Sequence, residues 1–242
     1  LRILLMEDVK KYYDRECVLS IDSLSINKGT ISGYLGKNGA GKSTTIKIMM
    51  GILTPDEGTV CFQDEQIDYQ NPHHKKYIGY CPDYPAVFEK LSVTEHLHFI
   101  SFLYGETDTH QIERTIDRLL EHFDVEKYRH TLIKNLSRGN KQKISIISSV
   151  MHNPSLLIYD EPTLGLDPLS IKQFKSFLKE YTQNGGTVFL SSHSLNIIEE
   201  IADTVTIINN GSILKKNISV NQLRGSLTSV EDYLISVVEG RD

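Results

Sequence analysis

The chain has 242 residues, 39% of them apolar and 24% charged, and a net charge of −5 at pH 7. This is the composition of an ordinary soluble globular protein, with room for one large domain or a domain with a subdomain. The acidic balance gives no footprint for nucleic acid, and no uninterrupted apolar run approaches the length needed to span a bilayer. Cys17, Cys61 and Cys81 are odd in number and far apart, which suggests ordinary thiols in a reducing compartment. The first residues lack a signal-peptide pattern, and no repeat or low-complexity segment stands out.

In chain order, residues 1–35 alternate short apolar runs (Val18-Leu19, Leu24-Ser25-Ile26) with turns such as Lys28-Gly29, and predict strands. Tyr12 and Tyr13 fall in the first connection. An aromatic there can stack on a nucleotide base; a packed surface tyrosine explains it equally well. Then comes Gly36-Lys37-Asn38-Gly39-Ala40-Gly41-Lys42-Ser43-Thr44, which satisfies the phosphate-loop pattern between an apolar stretch and a helix-like one. Its glycines let backbone N–H groups approach phosphate oxygens, and the following helix directs its positive end at the same anion. Lys42 adds a cation for the phosphates, and Ser43 a hydroxyl for Mg2+.

Residues 54–58 form a turn before a strand at 59–62, and residues 63–76 read as a polar loop. Residues 78–81 predict a short strand that Pro82 ends. Ser92 and Glu95 have capping-box spacing, with Gly105 as the stop. Ile112, Ile116, Leu119, Leu120 and Phe123 mark an amphipathic helix. His96 and His98, two apart, do not share a helical face; this argues against a metal pair and predicts surface histidines.

Strand-helix alternation returns at 156–159, an apolar run ending in Asp160-Glu161-Pro162. A helix (Ile171, Phe174, Phe177, Leu178, Tyr181) closes at Gly185-Gly186. A strand at 187–190 ends in Ser191-Ser192-His193, a helix around 197–201 follows, and 205–208 with 212–214 predict a hairpin through Asn209-Asn210-Gly211. A last helix is expected around 233–238. The fold class is therefore α/β, with a mainly parallel sheet. Asp160, at a strand end, suits a Mg2+ ligand; Glu161 can orient and polarise the attacking water; His193 can hydrogen-bond the γ-phosphate or that water.

These residues resemble the ATP-binding subunit of an ATP-binding-cassette (ABC) transporter over almost the whole chain. Leu136-Ser137-Arg138-Gly139-Asn140 is similar to the signature motif, Asp160-Glu161 to the Walker B end with its catalytic glutamate, and Leu164-Gly165-Leu166-Asp167 to the D-loop. His193 resembles the switch histidine, and Tyr12 the adenine-stacking aromatic, with Tyr13 as the register alternative. The resemblance implies one ABC ATPase domain of P-loop type over 1–242. Its core, with an N-terminal antiparallel β portion, would comprise 1–84 and 151–215, its helical subdomain 85–150 and its helical tail 216–242. It also implies catalysis by Glu161 and His193. ATP contacts would come from Tyr12, Val18, Gly36, Asn38, Gly39, Ala40, Gly41, Lys42, Ser43, Thr44, Ser137, Arg138, Gly139, Asn140 and Asp167, and Mg2+ contacts from Ser43, Asp83 and Asp160.

Two positions depart from the family pattern: Arg138 stands where a glycine is usual, and Asp83 where the Q-loop glutamine is usual. A carboxylate accepts hydrogen bonds but cannot donate as an amide does. The implied partners are a second cassette, head-to-tail, and a separate membrane permease contacting the helical subdomain and residues 83–88. Nucleic acid is not among them. Tyr80-Cys81-Pro82-Asp83, the Gly165-Leu166-Asp167-Pro168 end of the D-loop and the 227–238 ending resemble the drug- and peptide-exporter branch, and the implied location is the cytoplasmic face of the cell membrane. The alternative is a soluble ABC ATPase acting on ribosomes or DNA, whose relatives typically carry two cassettes or long coiled-coil insertions.

Overall fold

Residues 1–224 are described by the structure, a computed structural model; the helix expected around 233–238 lies outside them. The chain opens with β1 (Arg2–Tyr13) and β2 (Glu16–Asn27), a long antiparallel hairpin rather than a series of short strands. Its inward residues Leu4, Met6, Val9, Leu19, Ile21 and Leu24 are buried, while charged outward residues such as Glu7 and Lys10 interrupt the apolar runs in the sequence. Asp14 and Arg15 take positive φ at the turn, as tight hairpin connections require.

β3 (Ile31–Leu35) is buried along its whole length and leads through the glycine loop into α1 (Lys42–Met49). β4 (Glu57–Phe62) pairs with β1. The segment 63–76, expected as loop, contains the short β5 (Glu65–Gln66) and the start of a 3-10 turn, His73–Tyr77. β6 (Ile78–Cys81) follows as expected.

Three helices stand between β6 and the next strand. α2 (Val93–Leu103) carries the full capping box: the Ser92 side chain accepts from Glu95 N, and the Glu95 carboxylate accepts from Ser92 N at 2.8 Å. α3 (Thr109–His122) buries Ile112, Ile116, Leu119 and Leu120 on its apolar stripe. α4 (Arg138–Ser148) starts at the Ser137 cap. His96 corrects a sequence expectation. It is buried, and its Nε2 donates at 2.8 Å to Ser148 Oγ, whose own hydrogen goes to Ile144 O. His98 is half-buried against Glu113 at 2.6 Å. The i and i+2 spacing separated the two faces correctly; it could not say that the His96 face meets α4.

β7 (Leu156–Asp160), α5 (Pro168–Gln183), β8 (Thr187–Ser192), α6 (Leu195–Ile201), β9 (Thr204–Asn209), β10 (Ser212–Ser219) and α7 (Val220–Arg224) complete the described chain. β10 runs beyond residue 216, where a helical tail was expected. The sheet order is β5-β4-β1-β2-β10-β9-β3-β8-β7-β6. The block β9-β3-β8-β7-β6 is parallel, and the other half is mainly antiparallel. The parallel block is buried on both faces. Leu157 and Tyr159 of β7 enter a core with α3, α4 and α5, whereas Leu156 and Ile158 enter another with α1 and the N-terminal strands.

Candidate functional site

Four parallel strands end on one edge of the sheet, where ligands gather in open α/β folds. β3 delivers the glycine loop, β7 delivers Asp160 and Glu161, β8 delivers His193, and β6 leads to Asp83. The loop depends on its glycines. A Cβ on Gly36 would stand 2.6 Å from Ile208 O, and Gly41, at the N-terminus of α1, has a φ of 108°. Only glycine accommodates both.

The β7 end is tied to the loop by short polar contacts. Ser43 Oγ donates to Asp160 Oδ2 at 2.7 Å, and Ser191 Oγ donates to the other Asp160 oxygen. Lys42 Nζ donates to Gly36 O at 2.7 Å and lies 3.4 Å from Glu161 Oε1, which is buried and makes no hydrogen bond. His193 Nδ1 donates to Glu161 Oε2 at 2.8 Å, which leaves its Nε2 as the other face of the ring. Glu161 itself sits at φ 49°, an uncommon conformation for a non-glycine residue. Its N–H is held by Ser191, through the backbone carbonyl and through Oγ, each at 3.2 Å. Ser191 is therefore a site residue that sequence reasoning passed over. Its signal was the Ser191-Ser192 pair at a strand end, two residues before His193.

A hydroxyl and a carboxylate side by side are hard oxygen donors of the kind Mg2+ takes, usually one or two from protein with the remainder from phosphates and water. Among the described residues no group of three or more His, Cys, Asp or Glu could hold a metal. Ser43 and Asp160 thus fit a cation shared with a phosphate ligand, not a dedicated protein cage.

The other expected residues are engaged in different ways. Asp83 is exposed, and its charge and that of Asp160 add to the burial that pushes the Tyr80 hydroxyl up. Asp167 caps α5, accepting from Ser170 N at 2.9 Å and Ser170 Oγ at 2.6 Å. These two bonds hold its carboxyl below the usual range. Ser137 caps α4 by accepting from Asn140 N at 3.3 Å. Gly139 approaches Gly165 so closely that a Cβ would stand 3.0 Å from its carbonyl, and the Arg138 side chain lies alongside the same glycine. Among the described residues no hydrogen bond or ion pair joins Ser137, Arg138, Gly139 or Asn140 to the glycine loop. The signature segment packs instead on its own D-loop, against Gly165.

Tyr12 and Tyr13 also part company. Tyr12 donates its hydroxyl to Glu57 at 3.1 Å, and its N–H to Asp56 at 2.7 Å. Lys10 bonds the same Glu57 at 2.8 Å, so Tyr12 shares the Lys10 face of β1. Tyr13 pairs with Glu16, past a register irregularity between Lys11 and Tyr12, while Lys11, whose strand partner is Leu19, donates to Thr54 O at 2.9 Å and to Asp56 at 3.1 Å. Leu19 is the residue that a Cβ on Gly41 would meet at 3.0 Å. Val18 stands next to it, its carbonyl close against Gly211, whose N–H bonds Ala40 O at 2.9 Å.

Comparison with known proteins gives one answer. Residues 19–164 match the family model for ABC transporters. The bacitracin transport ATP-binding protein BcrA of Enterococcus faecalis is 35% identical over 88% of this chain and 68% of its own length. The ABC-type transporter ATP-binding protein EcsA of Bacillus subtilis is 32% identical over 92% of this chain and 89% of its own. A solved ATP-binding subunit of an ABC transporter superposes with a TM-score of 0.89 at 29% identity, covering 98% of this chain and 99% of that one. A post-hydrolysis cassette described as dimeric, with ADP and phosphate bound, shares the fold with a TM-score of 0.81 over 90% of this chain and 98% of its own. The chain belongs to the ABC transporter family, as one of its ATP-binding, ATP-hydrolysing subunits.

Proposed function

We propose that this cassette hydrolyses Mg2+-ATP in two composite sites shared head-to-tail with a second copy, and drives export through a separate membrane subunit. In each site Gly36, Asn38, Gly39, Ala40, Gly41, Lys42 and Thr44 would grip the phosphates, with Ser43 and Asp160 at Mg2+ and Asp83 in reach of its water. Glu161 would orient and polarise the attacking water, and His193 would hold Glu161 and meet the γ-phosphate. Ser137, Arg138, Gly139, Asn140 and Asp167 of the partner would close the site. The observation that carries this reading is the separation within one chain: catalytic groups converge on the glycine loop, whereas the signature segment packs on its own D-loop. A twofold pair restores the missing half of each site.

For the base, Tyr13 with Val18 is favoured over Tyr12, whose hydroxyl is engaged by Glu57. Export is supported by relatives named for bacitracin transport and linearmycin resistance. No helix among the described residues is long and apolar enough to cross a membrane, and the proposed translocation path is the separate membrane subunit. The exposed Tyr84, Phe88, Phe99 and Phe102, on or beside α2, offer an apolar face for it.

The test is Glu161→Gln. With ATP and Mg2+ it should run as a dimer on size exclusion, while hydrolysis falls about 10²- to 10⁴-fold, the usual worth of a positioned general base. Turnover at the wild-type rate, or a monomer with ATP bound, would refute the reading.

A further inference from the structure

α4 begins at the signature residues, and two of its buried polar side chains reach the strand ends on the opposite side of the site. Gln142 is 1% exposed; its Nε2 donates to Pro162 O at 3.1 Å and points at Cys81 Sγ at 3.6 Å. Ser145, equally buried, accepts from Ala86 N at 3.2 Å and lies 3.4 Å from the same sulfur. One helix thus bonds to the residue after Glu161 and to the segment that carries Asp83.

We infer that Gln142 is a positioning residue for hydrolysis: it ties the signature helix to the segment that turns at Glu161 and Pro162, so that a shift of the helix is passed to the water-activating carboxylate. That segment needs such a support. Glu161 holds a left-handed backbone conformation that nothing in its own side chain favours. Its N–H is fixed by Ser191 and its carbonyl accepts from Leu164 N at 3.1 Å. Proline contributes no N–H, and its buried carbonyl has Gln142 as its one donor among the described residues. Both amide hydrogens of Gln142 are spent on these two strand ends, which leaves the side chain little freedom to slide. In the head-to-tail pair, closure of the signature residues on one ATP would therefore be felt at the Glu161 that serves the other.

This assignment rests on the reading of Glu161 as the group that activates water, and the experiment separates the two. The full chain is compared as wild type, Gln142→Met, Gln142→Glu and Glu161→Gln, measuring steady-state hydrolysis, binding of a fluorescent ATP analogue and thermal melting. Methionine keeps the length and volume but cannot donate. Gln142→Met should lose about 10- to 100-fold in kcat, the scale of a small misplacement of a reacting group, with KM and analogue affinity within about twofold. Gln142→Glu should recover as pH falls, because its protonated carboxyl can again donate to Pro162 O, giving a pH profile tilted to acid relative to wild type. Three results overturn the assignment: kcat of Gln142→Met within about twofold of wild type, parallel losses of kcat, affinity and melting temperature, or a Gln142→Glu profile parallel to wild type. If Glu161→Gln itself turns over normally, it is the role of Glu161 that fails. A dead Glu161→Gln beside a normal Gln142→Met fails Gln142 alone.

Discussion

At the scale of single residues, the neighbouring tyrosines carry a choice that stacking energetics can decide. An aromatic contact beyond simple burial is worth about 1 kcal/mol, roughly fivefold in affinity. Tyr13→Ala should weaken ATP binding by about that factor, whereas Tyr12→Ala should cost nucleotide affinity little and loosen the contact with Glu57 instead. Equal effects on a titration with fluorescent ATP would reject the choice. The two residues differ by a single position, and a one-residue step along a strand reverses the face. No pattern in Lys11-Tyr12-Tyr13-Asp14 announces which face meets the glycine loop. Asp83 is a different case: its identity departs from the family pattern, and it is exposed.

At the scale of elements, α2 meets its neighbours in part through histidines kept neutral by burial, alongside Val93 and Leu97. His96 is pulled down to about 4 by burial, and so is His152, which stacks on Tyr104 at 3.6 Å and donates to Ile78 O. The ordinary histidine value is 6.5, so the unfolded chain binds protons that the folded one refuses between about 6.5 and about 4. This contribution to stability is complete above the ordinary value and lost as pH falls toward the folded one, by up to about 1.4 kcal/mol per pH unit for each histidine. Melting temperature should therefore drop from pH 7 to pH 5. His96→Gln, which keeps an amide donor for Ser148, should flatten that slope; an unchanged slope in a thermal scan would show that His96 is not its source. The same helix displays what its sequence could and could not say. Ser92 and Glu95 announced the capping box because cap chemistry is local. The burial of His96 depends on Ser148, far along the chain, and no local rule reaches it.

Across the whole molecule, the sheet divides two cores, and one edge of its parallel block carries every group proposed for chemistry within one chain. The apolar face on and beside α2 is left uncovered, with Phe88 edge-on to Phe99 at 5.1 Å between ring centroids. Cassettes of this family pair with each other and with membrane subunits, and one solved relative is described as part of an ABC transporter complex. Phe99→Asp with Phe102→Asp should leave ATP binding by the cassette intact and abolish its recovery with the membrane subunit in mild detergent. Recovery undiminished by the two charges would move the contact elsewhere. The double change introduces charge at partly exposed positions, so the fold should survive it.

Much of this site was legible in the chain alone, because its determinants are short-range. A glycine loop between strand and helix, an acidic pair closing an apolar strand, and a histidine after the next strand are read from neighbours in sequence. The parallel order of the strands followed from their alternation with helices. What tertiary structure alone decided are the relations between distant segments: Ser191 beneath Asp160, Lys42 beside Glu161, Arg138 against Gly165, and Gln142 under Pro162. Each joins residues that share no turn or period, so their pairing is fixed only when the sheet brings strand ends together and α4 packs across them.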